Sequence, residues 1–154
     1  MLPEVIQLEK LRQEIEDAEY AAGSDSDYLD RGKPNPAQAQ AARQNIAAAM
    51  QKSAEMKSQL HDLIAATRQS NPGAIEEWVE LHRSILKPIL LEESKDVSSK
   101  ARINVANQTH SQWEKILQGE QDYVSINWYF LKDYRQKVRD LTKKNVKGGW
   151  KFWK

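Results

Sequence analysis

The chain has 154 residues, a formal net charge of +1 and no cysteine. That length suits one domain. The balanced charge excludes a global attraction to nucleic acid or to an anionic membrane, and the missing cysteine excludes disulfides, a thiol nucleophile and a zinc ribbon. Leu, Ile, Val and Phe together number 32, just above the roughly 20% level below which chains tend not to fold. A thin core is therefore expected, one that finishes its burial on another chain.

The first ten residues carry Glu4, Glu9 and Lys10 and no apolar run, so they do not read as a signal peptide. No stretch approaches the ~18 consecutive apolar residues of a membrane span. The expected setting is soluble: the cytoplasm, or a particle assembled inside the cell, with membrane association not the expected role. Charge is uneven along the chain. Residues 1–30 hold nine acids and two bases, and residues 132–154 hold nine bases and two acids. The two ends are electrostatic complements, within one chain or head to tail between chains.

Helix 1 is expected from Pro3, a residue suited to the first helical position, to Ala22. Leu8, Leu11, Ile15, Ala18 and Ala22 form a heptad seam, and Gly23 is the expected stop. Residues 23–35 then read as a loop. Its Asp25, Asp27 and Asp30 invite a calcium reading, but an EF-hand numbered from Asp25 would put Leu29, Asp30 and Pro36 where it needs an oxygen ligand, a glycine and a glutamate.

Helix 2 starts at Asn35-Pro36-Ala37-Gln38, an N-cap, a first-turn proline and a capping-box glutamine in register. It should run to Ser70, ~52 Å at about 1.5 Å per residue. Ala39, Ala42, Ile46, Ala49, Ser53, Met56, Leu60, Leu63 and Thr67 keep a 3,4 spacing, which implies left-handed supercoiling. The alanine half buries little area and needs a partner helix. Ala39, Ala42, Ile46, Ala49, Met56, Leu60 and Leu63 are therefore the expected oligomerisation residues.

Helix 3 repeats the Asn-Pro start at Asn71 and carries Ile75, Trp78, His82, Ile85 and Ile89; Pro88 should break or kink it. Ser94 or Ser98 is the expected cap of helix 4, whose seam is Ile103, Ala106, His110, Trp113 and Leu117, with Gly119 ending it. Helix 5 should start near Asp122 and carry Tyr123, Trp128, Tyr129, Phe130, Leu131, Tyr134, Val138 and Leu141. No segment reads as a strand.

Chemistry-bearing patterns fail on spacing. Di-iron bundles need Glu three residues before His on a helix; here Ser58, Val79 and Asn107 precede His61, His82 and His110. His82 and His110, on apolar seams, read as satisfied core or interface histidines. Glu76, Glu77 and Glu80 around Trp78 read as helix-start acids rather than a catalytic pair. No glycine-rich phosphate loop and no nucleophile elbow occurs. No catalytic, cofactor-binding or metal-binding residue is expected.

The segment Val146 to Lys154 places Gly148-Gly149 before Trp150, Lys151, Phe152, Trp153 and Lys154. The glycines are expected to end the helix, dividing the chain into a bundle, 1–145, and a basic aromatic docking tail, 146–154. Trp and Phe suit a partner's apolar pocket; the same pattern could stack on bases, sit at a lipid interface or fold back on its own bundle. Partner docking is the preferred reading. Leu90 through Arg102, under a tenth of the chain, resembles helix-pair segments of phage DNA-packaging small subunits. The resemblance implies a DNA-binding or DNA-packaging subunit as an alternative, with nucleic acid meeting the basic C-terminal region.

The expectation is thus an all-α, elongated bundle of about five helices with coiled-coil-like heptad packing. Its function would be that of a non-enzymatic structural or adaptor protein that oligomerises through helical seams. It would dock a protein partner with its tail, as part of a larger assembly.

Overall fold

The structure, a computed structural model, describes the backbone of residues 1–152 and the side chains of residues 1–145. It is all-helical among the described residues: α1 Pro3–Arg31, α2 Pro36–Ser70, α3 Pro72–Leu90, α4 Val97–Gln118 and α5 Lys132–Phe152. No described helix is long and apolar enough to cross a membrane. The helical backbone of α5 continues through Gly148-Gly149, where a stop was expected; an interior glycine weakens a helix by only about 1 kcal/mol. The side chains of the expected docking residues Trp150, Lys151, Phe152, Trp153 and Lys154 lie outside those described.

The first correction is α1, which passes through Gly23 to Arg31 and leaves only Gly32 to Asn35 as a loop. The antiparallel α2 lies alongside the extension, so tertiary packing overrides the local stop signal. Gly32 is the glycine the turn requires. A Cβ there would stand 2.6 Å from the Tyr28 ring and 2.7 Å from the Tyr28 carbonyl oxygen. The next residue, Lys33, takes the left-handed conformation, φ 47°. Asp25, Asp27 and Asp30 consequently sit on a helix, not in a loop.

α2 has the expected bounds, and its Asn35–Gln38 capping box is formed in both directions. Its alanine half is covered from within the chain, since Ala39 and Ala42 are buried in the hairpin with α1, as are Ala18 and Ala22. Of the expected oligomerisation residues, Met56 and Leu60 are also buried inside the chain, and Ile46, Ala49 and Leu63 are half-buried. Ile64 rather than Leu63 enters the core. A straight helix drifts about 20° per heptad, and the buried positions Met56, Leu60, Ile64 and Thr67 follow that drift instead of a strict heptad. In α4 the register differs instead: Thr109 and Ile116 are buried with Ala106 and Trp113, while His110 and Leu117 stay half-exposed.

α3 is continuous through Pro88. The carbonyl that Pro88 cannot bond belongs to Ser84, an exposed residue, so water can satisfy it. The cap of α4 is Asp96, whose side chain accepts from the Ser99 amide at 2.8 Å; it is neither Ser94 nor Ser98. α5 starts ten residues later than expected, at Lys132. Residues 119–131 form an irregular crossing segment plugged by buried Val124 and Leu131. Its backbone is held by side chains of α4. Gln112 pairs with both Ser125 backbone groups at 3.0 Å, and Arg102 donates to the Phe130 carbonyl at 2.7 Å. Tyr123, Trp128, Tyr129 and Phe130 therefore belong to this segment, not to a helix.

The core draws on all five helices and this segment, around Leu8, Ile15, Leu60, Ile64, Trp78, Leu86, Trp113, Leu131 and Val138. The second half of α1 and the first half of α2 contribute nothing beyond Ala18 to that cluster. They form a two-helix arm with largely exposed faces, linked to the body by two continuous helices.

Candidate functional site

Acid, base and hydroxyl groups converge most closely inside this molecule; nearer its surface His61 pairs with Asp122, and Lys57 with Glu19 at 2.6 Å. Glu9, Arg12 and Glu16 stand on one face of α1, three and four residues apart, and all three are buried. α3 supplies Trp78 and His82, α4 supplies Trp113 and α5 supplies Tyr134, each at most 1% exposed. Glu9 accepts from Trp78 Nε1 at 3.1 Å, from His82 Nε2 at 2.5 Å, from Arg12 Nη2 at 2.7 Å and from Gln13 Nε2 at 2.7 Å. Arg12 Nη1 donates to Glu16 at 2.7 Å. The other Glu16 oxygen accepts from Arg135 at 2.9 Å and Arg139 at 2.7 Å, and Arg139 also reaches Asp17 at 2.8 Å.

Hydrogen-bond direction fixes the His82 tautomer. A Glu9 carboxylate only accepts, so His82 Nε2 carries the proton. His82 Nδ1 then accepts from the Tyr134 hydroxyl at 2.6 Å, and the Tyr134 oxygen accepts from Trp113 Nε1 at 3.0 Å. The His82 ring stacks on Trp113, centroids 3.9 Å apart and 14° from parallel. Trp78 meets Trp113 edge-on at 5.0 Å.

Burial alone would raise the Glu9 carboxyl. The Arg12 charge, His82 and their hydrogen bonds more than reverse this and hold it well below the carboxylate range. Arg12 shows the mirror image: burial lowers it, but Glu9 and Glu16 leave it above its ordinary value. Burial also dominates at His82, pushing it below its ordinary value against the pull of Glu9. His82 is therefore neutral. Glu9, Glu16 and Asp17 then balance Arg12, Arg135 and Arg139, so the cluster carries no net charge. Such balance matters because an unpaired buried charge costs several kcal/mol.

The order Glu9, His82, Tyr134 has the form of an acid–base–nucleophile chain. Its environment does not suit that work. Burial raises the Tyr134 hydroxyl far above its ordinary value, and both His82 nitrogens are spent on internal bonds. None of the surface grooves described here is lined by Glu9, His82 or Tyr134. What this arrangement can do is lock α1, α3, α4 and α5 in one register. Among the described residues, no group of three His, Asp or Glu is placed to hold a metal ion. Glu76, Glu77 and Glu80 line an open groove with Arg83, which pairs with Glu114 at 3.1 Å. Trp78, between those acids in sequence, points inward.

Sequence reasoning found His82 but missed Glu9, Arg12 and Glu16, reading them as part of an acidic surface. The available signal was their spacing, which runs beside Leu8 and Ile15 on the buried face. The pairing of the acidic first helix with the basic last one occurs within the chain, through Arg135 and Arg139. Lys143 and Lys144 are exposed and take no part in it.

Above the network lies a surface groove of about 590 Å³ lined by Tyr20, Trp128, Tyr129, Lys132, Arg135 and Gln136. Tyr20 is 70% and Tyr129 77% exposed. Arg135 ties the groove to the network: it bonds Glu16 and stands 6.0 Å over the Trp128 ring. Exposed aromatics held on a rigid base are the residue types that dominate protein interfaces. Comparison with protein-family models, with curated proteins and with solved structures finds no match for this chain.

Proposed function

We propose that this chain is a non-enzymatic structural or adaptor subunit that self-associates and contributes to a larger assembly inside the cell, in the cytoplasm or in an intracellularly assembled particle. One observation carries the reading. The largest convergent set of polar groups, Glu9, Arg12, His82 and Tyr134, is sealed and bonded internally, whereas the aromatic groove of Tyr20, Trp128 and Tyr129 is open to a partner. Because Ala39, Ala42, Met56 and Leu60 are covered within the chain, the reading places self-association on that groove instead of the alanine seam. The tail from Trp150 to Lys154 remains the proposed second contact, with a protein partner. Light scattering at micromolar concentration tests the reading: a mass above 17.7 kDa is expected, reduced by Tyr20→Ala with Tyr129→Ala. A monomer across that range refutes self-association.

A DNA-binding or DNA-packaging subunit is the second reading. It is favoured by Lys132, Lys137, Lys143 and Lys144 on α5, all exposed and, among the described residues, without an ion-pair partner. Salt separates the two readings, because phosphate contacts weaken steeply as salt rises and apolar docking does not.

A further inference from the structure

A third groove, of about 330 Å³, lies between α1 and α5, lined by Lys10, Gln13, Arg139, Thr142 and Lys143. Its rim places two ammonium groups, Lys10 and Lys143, on facing helices, both exposed. No acid among the described residues lies within ion-pair distance of either. Glu14 and Asp140, exposed and about a turn from Lys10 and Lys143, form no ion pair with either, and the other nearby acids are committed elsewhere. Glu9 is enclosed by Arg12, His82 and Trp78, and Glu16 and Asp17 are taken by Arg135 and Arg139. The lining of the groove thus holds two ammonium groups without an ion-pair partner among the described residues, and no acid. Like charges facing each other across a helix pair destabilise it, so the arrangement favours a bound anion.

The donors left over describe that anion. Arg139 spends Nη2 on Glu16 and Asp17, so the planar fork that would grip a carboxylate side-on is not free. Its Nε is buried without an acceptor. Gln13 and Thr142, already bonded to Glu9 and to the Val138 carbonyl, set the floor. What remains are two mobile point charges from opposite walls above a guanidinium. That set suits a compact oxyanion with oxygens facing several directions.

We infer that the Lys10–Arg139–Lys143 groove binds a phosphate group. The inference stands whether or not the assembly reading does. Its source is a free phosphate or the backbone of a nucleic acid, and the test separates these. The full chain is titrated with inorganic phosphate, against chloride at matched ionic strength, while backbone amide resonances are followed by NMR. Saturable shifts confined to residues around Lys10, Gln13 and Arg139 to Lys143 are expected. Lys10→Ala with Lys143→Ala should weaken binding at least tenfold, whereas Lys137→Ala, outside the groove, should leave it unchanged. Circular dichroism checks that the variants are folded. A second titration uses mixed-sequence duplex DNA. Shifts at the same residues, with tighter and strongly salt-dependent binding, assign the phosphate to nucleic acid; their absence assigns it to a free phosphate. Shifts no different from those in chloride, or phosphate binding unchanged in the double variant, overturn the inference.

Discussion

Replacing Glu9 by Gln changes one oxygen to an amide and tests whether the interior network holds the fold. The carboxylate receives donors from four side chains, and every one is needed: Trp78, His82, Arg12 and Gln13. A glutamine can accept on only one side, and its amide would face donors from the other. Arg12, 1% exposed, would keep only Glu16 as counter-charge. Breaking a buried pair from one side typically costs about 3–5 kcal/mol. Domains of this size are stable by roughly 5–15 kcal/mol, so the variant should lose a large share of its stability. At about 2–4 °C per kcal/mol, the melting point should fall by roughly 6–20 °C. Urea unfolding followed by tryptophan fluorescence reports the change, because Trp78 and Trp113 both lie in the network. Glu14→Gln, at an exposed position of the same helix, should stay within about 0.5 kcal/mol. A Glu9→Gln loss as small as that of Glu14→Gln would show that the network does not hold the helices.

Stability should also fall with acid. The unfolded chain takes up a proton at His82 near pH 6.5, while the folded chain resists it; stability therefore declines as pH drops below about 6.5. Glu9 adds a second decline below about pH 4.5, where the unfolded carboxyl protonates and the folded one does not. The urea midpoint measured from pH 8 to about pH 2.5 should trace both, and a profile flat between pH 8 and about pH 5 would refute the neutral assignment of His82. Arg139→Ala should cost about 1–2 kcal/mol through Glu16, 6% exposed at its side chain, and charge reversal of Lys143 and Lys144 less than about 0.5 kcal/mol; the opposite ranking in urea melts would refute the intrachain pairing. Amides in the arm, residues 23–48, should exchange hydrogen faster than those of α3, because the arm adds no side chain to the main cluster. Equal protection would show the arm to be part of the cooperative body.

Where local chemistry decides an element, the sequence was sufficient. Asn35, Pro36 and Gln38 fix the start of α2 through bonds that span three residues, and no tertiary contact is needed to close them. The missed boundaries are those where a distant partner outweighs the local signal. Gly23 offers a stop, but α2 covers the continuing helix. Tyr123 to Phe130 carry helix-compatible apolar spacing, but Gln112 and Arg102 bind their backbone in an extended path. Neither partner can be located from the segment itself.

The buried charges were harder to read for a different reason. Glu9, Arg12 and Glu16 have the i, i+3, i+4 spacing of an ordinary exposed helix pair, worth only tenths of a kcal/mol. Inside the fold the same spacing brings the three onto one face, and what makes their burial tolerable comes from elsewhere: Trp78, His82, Tyr134, Arg135 and Arg139 lie between 62 and 130 positions away in the chain. Only the complete set is neutral. A charged triplet next to an apolar seam thus has two meanings, and the deciding residue here is His82. It sits on an apolar stripe and needs a donor and an acceptor within reach of its two nitrogens, which Tyr134 and Glu9 provide. A histidine that must be satisfied in a thin core needs an acceptor on a neighbouring element, and here a buried acid on a facing helix supplies it. Of the acids in α1, Glu9 follows Leu8 directly on the seam and is the one that Trp78, a turn away on α3, can also reach. With Glu9 as the acceptor of His82, the acidic face of α1 divides into an inner set, Glu9 and Glu16, and an outer one that includes exposed Glu14.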